Sequence, residues 1–298
     1  MSSVAGSDFA TKPEPQSPMQ PAVKAPMIRL IRRRSGWLAI DLAELWRYRG
    51  VLAFLIRRDL KVRYAQTLLG AAWAIFQPVA PMLVFTVIFG VLGKMPSDGV
   101  PYALFALSGL VAWTYFSSAV LSATTSLIAN PELVTKVYFP RLTIPLASLL
   151  AALADFGVGL GVLLVLMLAR GIVPRLEAIV LVPLLVVLMV SAASGVGFWL
   201  SALGARYRDV KHVTPVLLQL MMFASPIVYP VSLLPEKYRA LYSLNPMVGI
   251  VDGLRAALFG TRIVEPRSIL ISVAVSAVLL VSGALYFRRT ERLFADFV

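Results

Sequence analysis

The chain has 298 residues, 59% of them apolar and only 14% charged, where a soluble domain carries about 45–50% and about 25%. That balance excludes a soluble globular protein. The 28 Lys and Arg against 15 Asp and Glu give a net charge of +13, which beside such apolarity points to a phospholipid surface and not to nucleic acid. With no Cys and a single His, His212, a disulfide framework, a thiolate nucleophile and a Cys/His metal cage are excluded too.

Residues 1–36 read as a disordered cytoplasmic tail. Pro13, Pro15, Pro18, Pro21 and Pro26 stand among Ser, Ala and Gln, a composition that buries too little apolar area to offset its ordering entropy. No apolar core with a small-residue cleavage site marks it as a signal peptide. Over 37–67 the pattern changes: Leu38, Leu42, Leu45, Leu52, Leu55 and Ile56 recur at helical spacing, with Arg47, Arg49, Arg57, Arg58, Lys61 and Arg63 on the polar side. Such a basic amphipathic segment fits a helix lying in the membrane interface. Gly50 is expected to break it in two. The alternative, a solvated helix packed on a soluble domain, lacks a visible domain to receive it.

Six apolar segments follow, at about 68–93, 101–129, 142–169, 178–204, 212–229 and 268–287, suited to a hydrocarbon core of roughly 30 Å. The fifth is the shortest. Pro78, Pro81, Pro145, Pro183 and Pro215 fall inside them, where membrane helices tolerate proline. Asp155 is the one carboxylate deep in a span; a direct transport role and a helix–helix hydrogen bond both remain open for it. The small residues Gly157, Gly159, Gly161 and Ser191 to Gly197 allow close helix approach, with packing inside the chain favoured over a seam between copies.

The loop NPELVTKVYFPRLTIP at 130–145 holds a Pro-initiated short helix with Glu132, Lys136, Tyr138 and Arg141. A bare connector needs less, so it reads as a surface made to touch a partner. Before the last span, Pro235 can start a short helix, Asn245-Pro246 should interrupt it, and a second runs from about Met247 to Phe259 ahead of Gly260. Neither half is long enough to span, so 235–259 reads as a re-entrant extracytoplasmic hairpin. Counting Lys and Arg on alternate sides of the spans puts 20 of the 28 with the two termini, which places both termini in the cytoplasm. The fold class expected is an all-α integral membrane protein: six transmembrane helices, an N-terminal amphipathic interface helix, the hairpin, and a cytoplasmic C-terminus at 288–298.

Chemistry-bearing motifs are scarce. GVLGKM at 90–95 lacks the spacing of a phosphate loop and has Met95 where a magnesium-binding hydroxyl belongs. No acid–base triad or metal site can be assembled. Aromatic rings can stack on sugar rings while their edges donate hydrogen bonds. Trp73, Phe76, Trp113, Tyr115, Phe116, Phe223 and Tyr229 are therefore candidates for a polysaccharide path, against an ordinary interface belt or helix packing.

Four blocks, IRRDLKVRYAQTLLGAAWAIFQPVAPML at 56–83, NPELVTKVYFPRLTIP at 130–145, GARYRDVKHVTPVLLQLMMFASPIVYP at 204–230 and LNPMVGIVDGLRAALFG at 244–260, together resemble the permease subunit of bacterial ABC exporters of lipid-linked polysaccharide. O-antigen, teichoic-acid and capsule exporters belong to that family, and the likeness runs over about residues 38–290. It implies a homodimeric inner-membrane permease that encloses a channel and is driven by two copies of a separate ATPase, which uses ATP and Mg while this chain binds no cofactor. It implies a coupling helix at 130–141 with Glu132, Lys136, Tyr138 and Arg141 toward the ATPase, and gate helices at 235–259 with Glu236, Tyr238, Asn245 and Pro246. The cargo implied is an undecaprenyl-pyrophosphate-linked polysaccharide, O-antigen first, whose phosphates would meet Arg57, Arg58, Lys61 and Arg63. Capsule polysaccharide, teichoic acid, a drug or a small lipid are the alternatives within the family. An ion-coupled secondary transporter, the alternative of another class, lacks intramembrane ligands apart from Asp155.

Overall fold

The protein is described by a computed structural model at residues 42–65, 70, 72–260, 266–291 and 294. The expected tail, the start of the amphipathic segment and most of the C-terminus lie outside those residues. Every regular element among them is helical: α1 Leu42–Arg47, α2 Arg49–Tyr64, α3 Ala72–Phe85 continued by π-helical turns Thr86–Leu92, α4 Tyr102–Ser126, α5 Pro131–Lys136, α6 Thr143–Ala151, α7 Leu153–Ala169, α8 Ala178–Arg206, α9 Val210–Phe223, α10 Glu236–Tyr242, α11 Pro246–Phe259 and α12 Pro266–Thr290.

The packing centres on α4, which is apolar or small on every side and touches α3, α6, α7, α8, α9 and α11. Leu107, Tyr115, Phe116 and Ala119 on it are fully buried. By contrast α3 is almost uncovered, leaving Leu83, Val84, Val87, Ile88 and Val91 exposed. In water such a stripe would aggregate; against lipid tails it is at no disadvantage.

Among the described residues five helical segments are long and apolar enough to cross a membrane: Ala72–Leu92, Tyr102–Ser126, Thr143–Ala169, Ala178–Arg206 and Pro266–Thr290. The third is α6 and α7 run together across a shallow break at Ala152. The expected fifth segment, 212–229, is helical only as far as Phe223. Fourteen residues rise about 21 Å at 1.5 Å each, short of a 30 Å core. Pro226 and Pro230 cannot continue the ladder, and the chain turns through 224–230 instead.

A second difference concerns Gly50. The amphipathic segment breaks at Tyr48 (φ −93°, ψ 18°), and Gly50 is the second residue of α2, a position whose N–H has no intrahelical partner in any helix. Leu55 of α2 is buried and the helix lies along α6.

The small-residue cluster near 195 serves packing inside the chain. A Cβ on Gly195 would stand 2.5 Å from the Leu279 carbonyl carbon, and one on Gly283 would stand 2.3 Å from the Gly195 oxygen. The backbones of α8 and α12 therefore touch, and Trp199, stacked on Tyr286 at 4.1 Å and donating to Ser282 Oγ at 3.1 Å, fixes their rotation. Gly157 and Gly161 of α7 face open space, while Gly159 meets Val111.

Candidate functional site

At the end of α2 the chain's charges are already committed. Arg63 donates to Asp155 Oδ2 and to Ser122 Oγ, and Tyr64 donates to Asp155 Oδ1. Asp155 is buried, so a carboxylate that would be costly alone is held by one cation and one hydroxyl. Burial, then the hydrogen bond to Asp155, pushes the Tyr64 phenol up to about 12, so it stays a donor. Arg58 closes on Asp59 at 2.8 Å, and Ser148 Oγ of α6 donates to the other carboxylate oxygen at 2.9 Å. Of the four cations expected to meet phosphate, Arg58 and Arg63 thus have carboxylate partners inside the chain. Arg57 and Lys61, four residues apart on one face of α2, are exposed.

The 130–142 loop is a short helix with a buried underside. Val134 and Phe139 are in the core, whereas Glu132 and Lys136 pair at 3.2 Å on the surface and Tyr138 is 73% exposed. Arg141 turns inward. Its N–H donates to Glu291 Oε1 at 3.1 Å and its Nη1 to the Glu291 carbonyl at 2.7 Å.

The aromatic candidates divide in two. Trp73 and Phe76 of α3 are exposed and stacked in parallel at 5.2 Å, and Phe223 at the end of α9 is exposed. Trp113, Tyr115 and Phe116 of α4, for which the sequence leaves a path and helix packing both open, are buried in the core. Tyr115 donates to the Leu149 carbonyl at 3.4 Å and meets Phe156 edge-on. The stripe of α4 left partly open is Thr114, Ser117, Ser118, Leu121, Ser122 and Thr125, which holds none of these three rings.

The break between α10 and α11 is built as its residues dictate. Asn245 accepts from the Met247 N–H at 3.0 Å, the N-cap bond, and Pro246 occupies the first helical position, where its missing N–H costs nothing. The Asn245 amide also donates to the Ala224 carbonyl at 3.0 Å and Ser225 Oγ at 2.9 Å, pinning the break to the turn after α9. At the far end Gly260 is left-handed (φ 64°) and returns its N–H to Ala256, the glycine helix stop. Tyr242 donates to the Tyr229 hydroxyl at 3.0 Å, which donates to the Phe223 carbonyl at 3.0 Å. Between α9 and α10 lies a groove of about 390 Å³ lined by Met221, Leu234, Tyr238, Leu241, Tyr242 and Asn245. Glu236 is exposed, 4.0 Å from Arg239, and Pro246 is buried.

Residues 51–259 match the family model described as ABC-2 type transporter. The chain belongs to the ABC-2 type transporter family. Relatives of this ABC-2 transporter include the O-antigen export system permease protein RfbA of Myxococcus xanthus, 32% identical over 91% of this chain and 99% of that one. A protein of the same name from Klebsiella pneumoniae is 28% identical over 83% and 94%. The polysialic acid transport protein KpsM of Escherichia coli is 28% identical over 80% and 92%.

One residue of this ABC-2 transporter went unread in the sequence. Arg255 of α11 is buried beside Asp252 and Asp98 in a cavity no larger than a water molecule. Its Nη2 donates to the carbonyls of Phe105 at 3.1 Å and Ile227 at 3.0 Å, its Nε to Ser108 Oγ at 3.2 Å, and its guanidinium lies 3.5 Å from the Phe105 ring centroid. The signal was present: one Arg among Leu254, Ala256, Ala257 and Leu258 is a charge in an apolar run. Nearby, Lys94 (φ 45°) and Asp98 (φ 50°) hold left-handed backbones rare for side-chain-bearing residues, and Asp98 accepts from Ser232 Oγ at 2.8 Å.

Proposed function

We propose that this chain is the channel-forming permease subunit of an ATP-driven exporter that carries undecaprenyl-pyrophosphate-linked O-antigen across the bacterial inner membrane. The observation that carries the reading is alignment with an O-antigen export permease over 91% of this chain and 99% of that one. Two copies pair around the channel, each served by a separate ABC ATPase, and both termini face the cytoplasm. The sixth crossing is made by α9 together with the turn at 224–230, and α10 and α11 form the hairpin at the outer side.

In this reading the work falls to surfaces that remain free. Arg57 and Lys61 meet the pyrophosphate, since their neighbours are already paired. Trp73, Phe76 and Phe223 present rings to the glycan. Glu132, Lys136 and Tyr138 face the ATPase, whose closure on ATP moves α5. A capsule polysaccharide is the second reading, favoured by the likeness to a polysialic acid transport protein.

The test is reconstitution with the ATPase in liposomes carrying lipid-linked O-antigen or capsule glycan. ATP-dependent appearance of O-antigen on the far side is expected, and preference for the capsule glycan would establish the second reading. The isolated subunit hydrolysing ATP, or moving either cargo by itself, would overturn both.

A further inference from the structure

The coupling loop continues from α4 through Asn130 and runs into α6 through Leu142, and it buries Val134 and Phe139 in the core. α6 lies against α2 and α4. The loop's hydrogen-bonded link to α12 is the pair of bonds from Arg141 to Glu291 just beyond the end of that helix. That end is itself anchored, because Phe294 is fully buried and meets Phe287 edge-on at 5.1 Å.

From there the helices are close-packed. Gly283 sits against the Gly195 backbone of α8, and Gly249 of α11 sits against the Ser272 side chain of α12, where a Cβ would stand 2.4 Å from Oγ. Contacts this close leave little room for side chains to rearrange, so α8, α11 and α12 move as one body, shifting between discrete arrangements and not deforming smoothly. That body contains the second helix of the hairpin, and α10 lies against α12 as well.

We infer that Glu291 is a positioning residue through which displacement of the α5 loop reaches the hairpin at the opposite end of α12. The inference rests on the exporter reading. Without the Glu291 joint a push on α5 is delivered to α6 and its neighbours, and ATP is spent without moving the hairpin.

The chain has no Cys, so Lys237→Cys on the exposed side of α10 takes one environment-sensitive fluorophore per copy when labelled before assembly with the ATPase. In the otherwise unchanged complex, ATP shifts the fluorescence. Glu291→Ala removes the bond to the Arg141 N–H and leaves the guanidinium bond to the residue 291 carbonyl, so it is expected to reduce both that shift and the glycan moved per ATP by about threefold, with hydrolysis within about twofold of normal. Glu291→Gln, which keeps an oxygen to accept from the Arg141 N–H, preserves both. The inference is overturned if Glu291→Ala behaves like the parent, if Glu291→Gln falls equally far, if hydrolysis falls in step with transport, or if the parent shows no ATP-dependent shift. Should Glu291→Ala not assemble with the ATPase, Arg141→Ala, which removes only the guanidinium bond, is judged by the same criteria. A parent complex that neither hydrolyses ATP nor moves glycan removes the exporter reading itself, a result distinct from all of these.

Discussion

Replacing Arg255 by Met keeps most of the side-chain length and removes all three donors. The Phe105 carbonyl retains the Ser108 hydroxyl at 2.8 Å, so the oxygen left bare is that of Ile227. An orphaned buried acceptor costs about 1–3 kcal/mol, and loss of a desolvated cation–π contact about 2 kcal/mol. Relief of the buried guanidinium's own desolvation offsets part of this. The net expectation is destabilisation by about 3 kcal/mol for Met, rising to about 5 kcal/mol for Ala, which adds a cavity. For a chain of this size each kcal/mol lowers the melting temperature by about 2–4 °C, so Arg255→Met should melt roughly 6–12 °C early in detergent. Arg255→Lys, with one ammonium for two carbonyls, should lie between. A Met variant melting within about 2 °C of the parent, or above it, would refute the reasoning and show that the charge is not held for stability.

The glycines separate by surroundings: Gly195→Ala and Gly283→Ala push a Cβ into backbone and should each cost about 1–3 kcal/mol or more. Gly157→Ala and Gly161→Ala meet open space and should gain about 0.5–1 kcal/mol by helix propensity, both read as melting shifts. Asp155→Ala strands Arg63, whose side chain is 24% exposed, and leaves Tyr64 without its acceptor; partial solvation reduces the cost of a broken pair to about 2–3 kcal/mol, measured the same way. Glu132→Ala with Lys136→Ala removes an exposed pair worth under about 0.5 kcal/mol, so melting should stay put while ATPase binding, measured by co-purification, weakens.

What was legible in the sequence was whatever local chemistry dictates. Asn245 as cap, Pro246 at the first helical position and Gly260 as stop lie within one short segment, and the hairpin's second helix runs between them as expected. Apolar run length found the five helical segments long enough to cross a membrane, but not the end of α9, where Pro226 outweighs the apolar residues around it. Periodicity was silent on α4, because a helix apolar on all sides has no preferred face. Trp113, Tyr115 and Phe116 therefore read equally well as a path or as core. The partners of the charges were hidden for a different reason. Arg63 meets a carboxylate 92 residues away and Arg255 a carbonyl 150 residues away, separations at which sequence shows a charge but not what satisfies it.

Those long-range polar contacts share a feature that bears on how the fold is specified. In lipid, apolar surface gains nothing by turning inward, so hydrophobic pattern alone does not decide which helices meet. Small residues and polar pairs must decide. Asp155 joins α7 to α2, Asp59 and Ser148 join α2 to α6, Arg255 joins α11 to α4 and to the turn after α9, and Glu291 joins the end of α12 to the α5 loop. Each links segments far apart in the chain, and breaking one leaves its partner short of a hydrogen bond, at a cost that rises with the partner's burial. Replacing any one joint by matched apolar residues should leave helix content by circular dichroism unchanged while loosening which helices pack together, seen as faster proteolysis of the connecting loops.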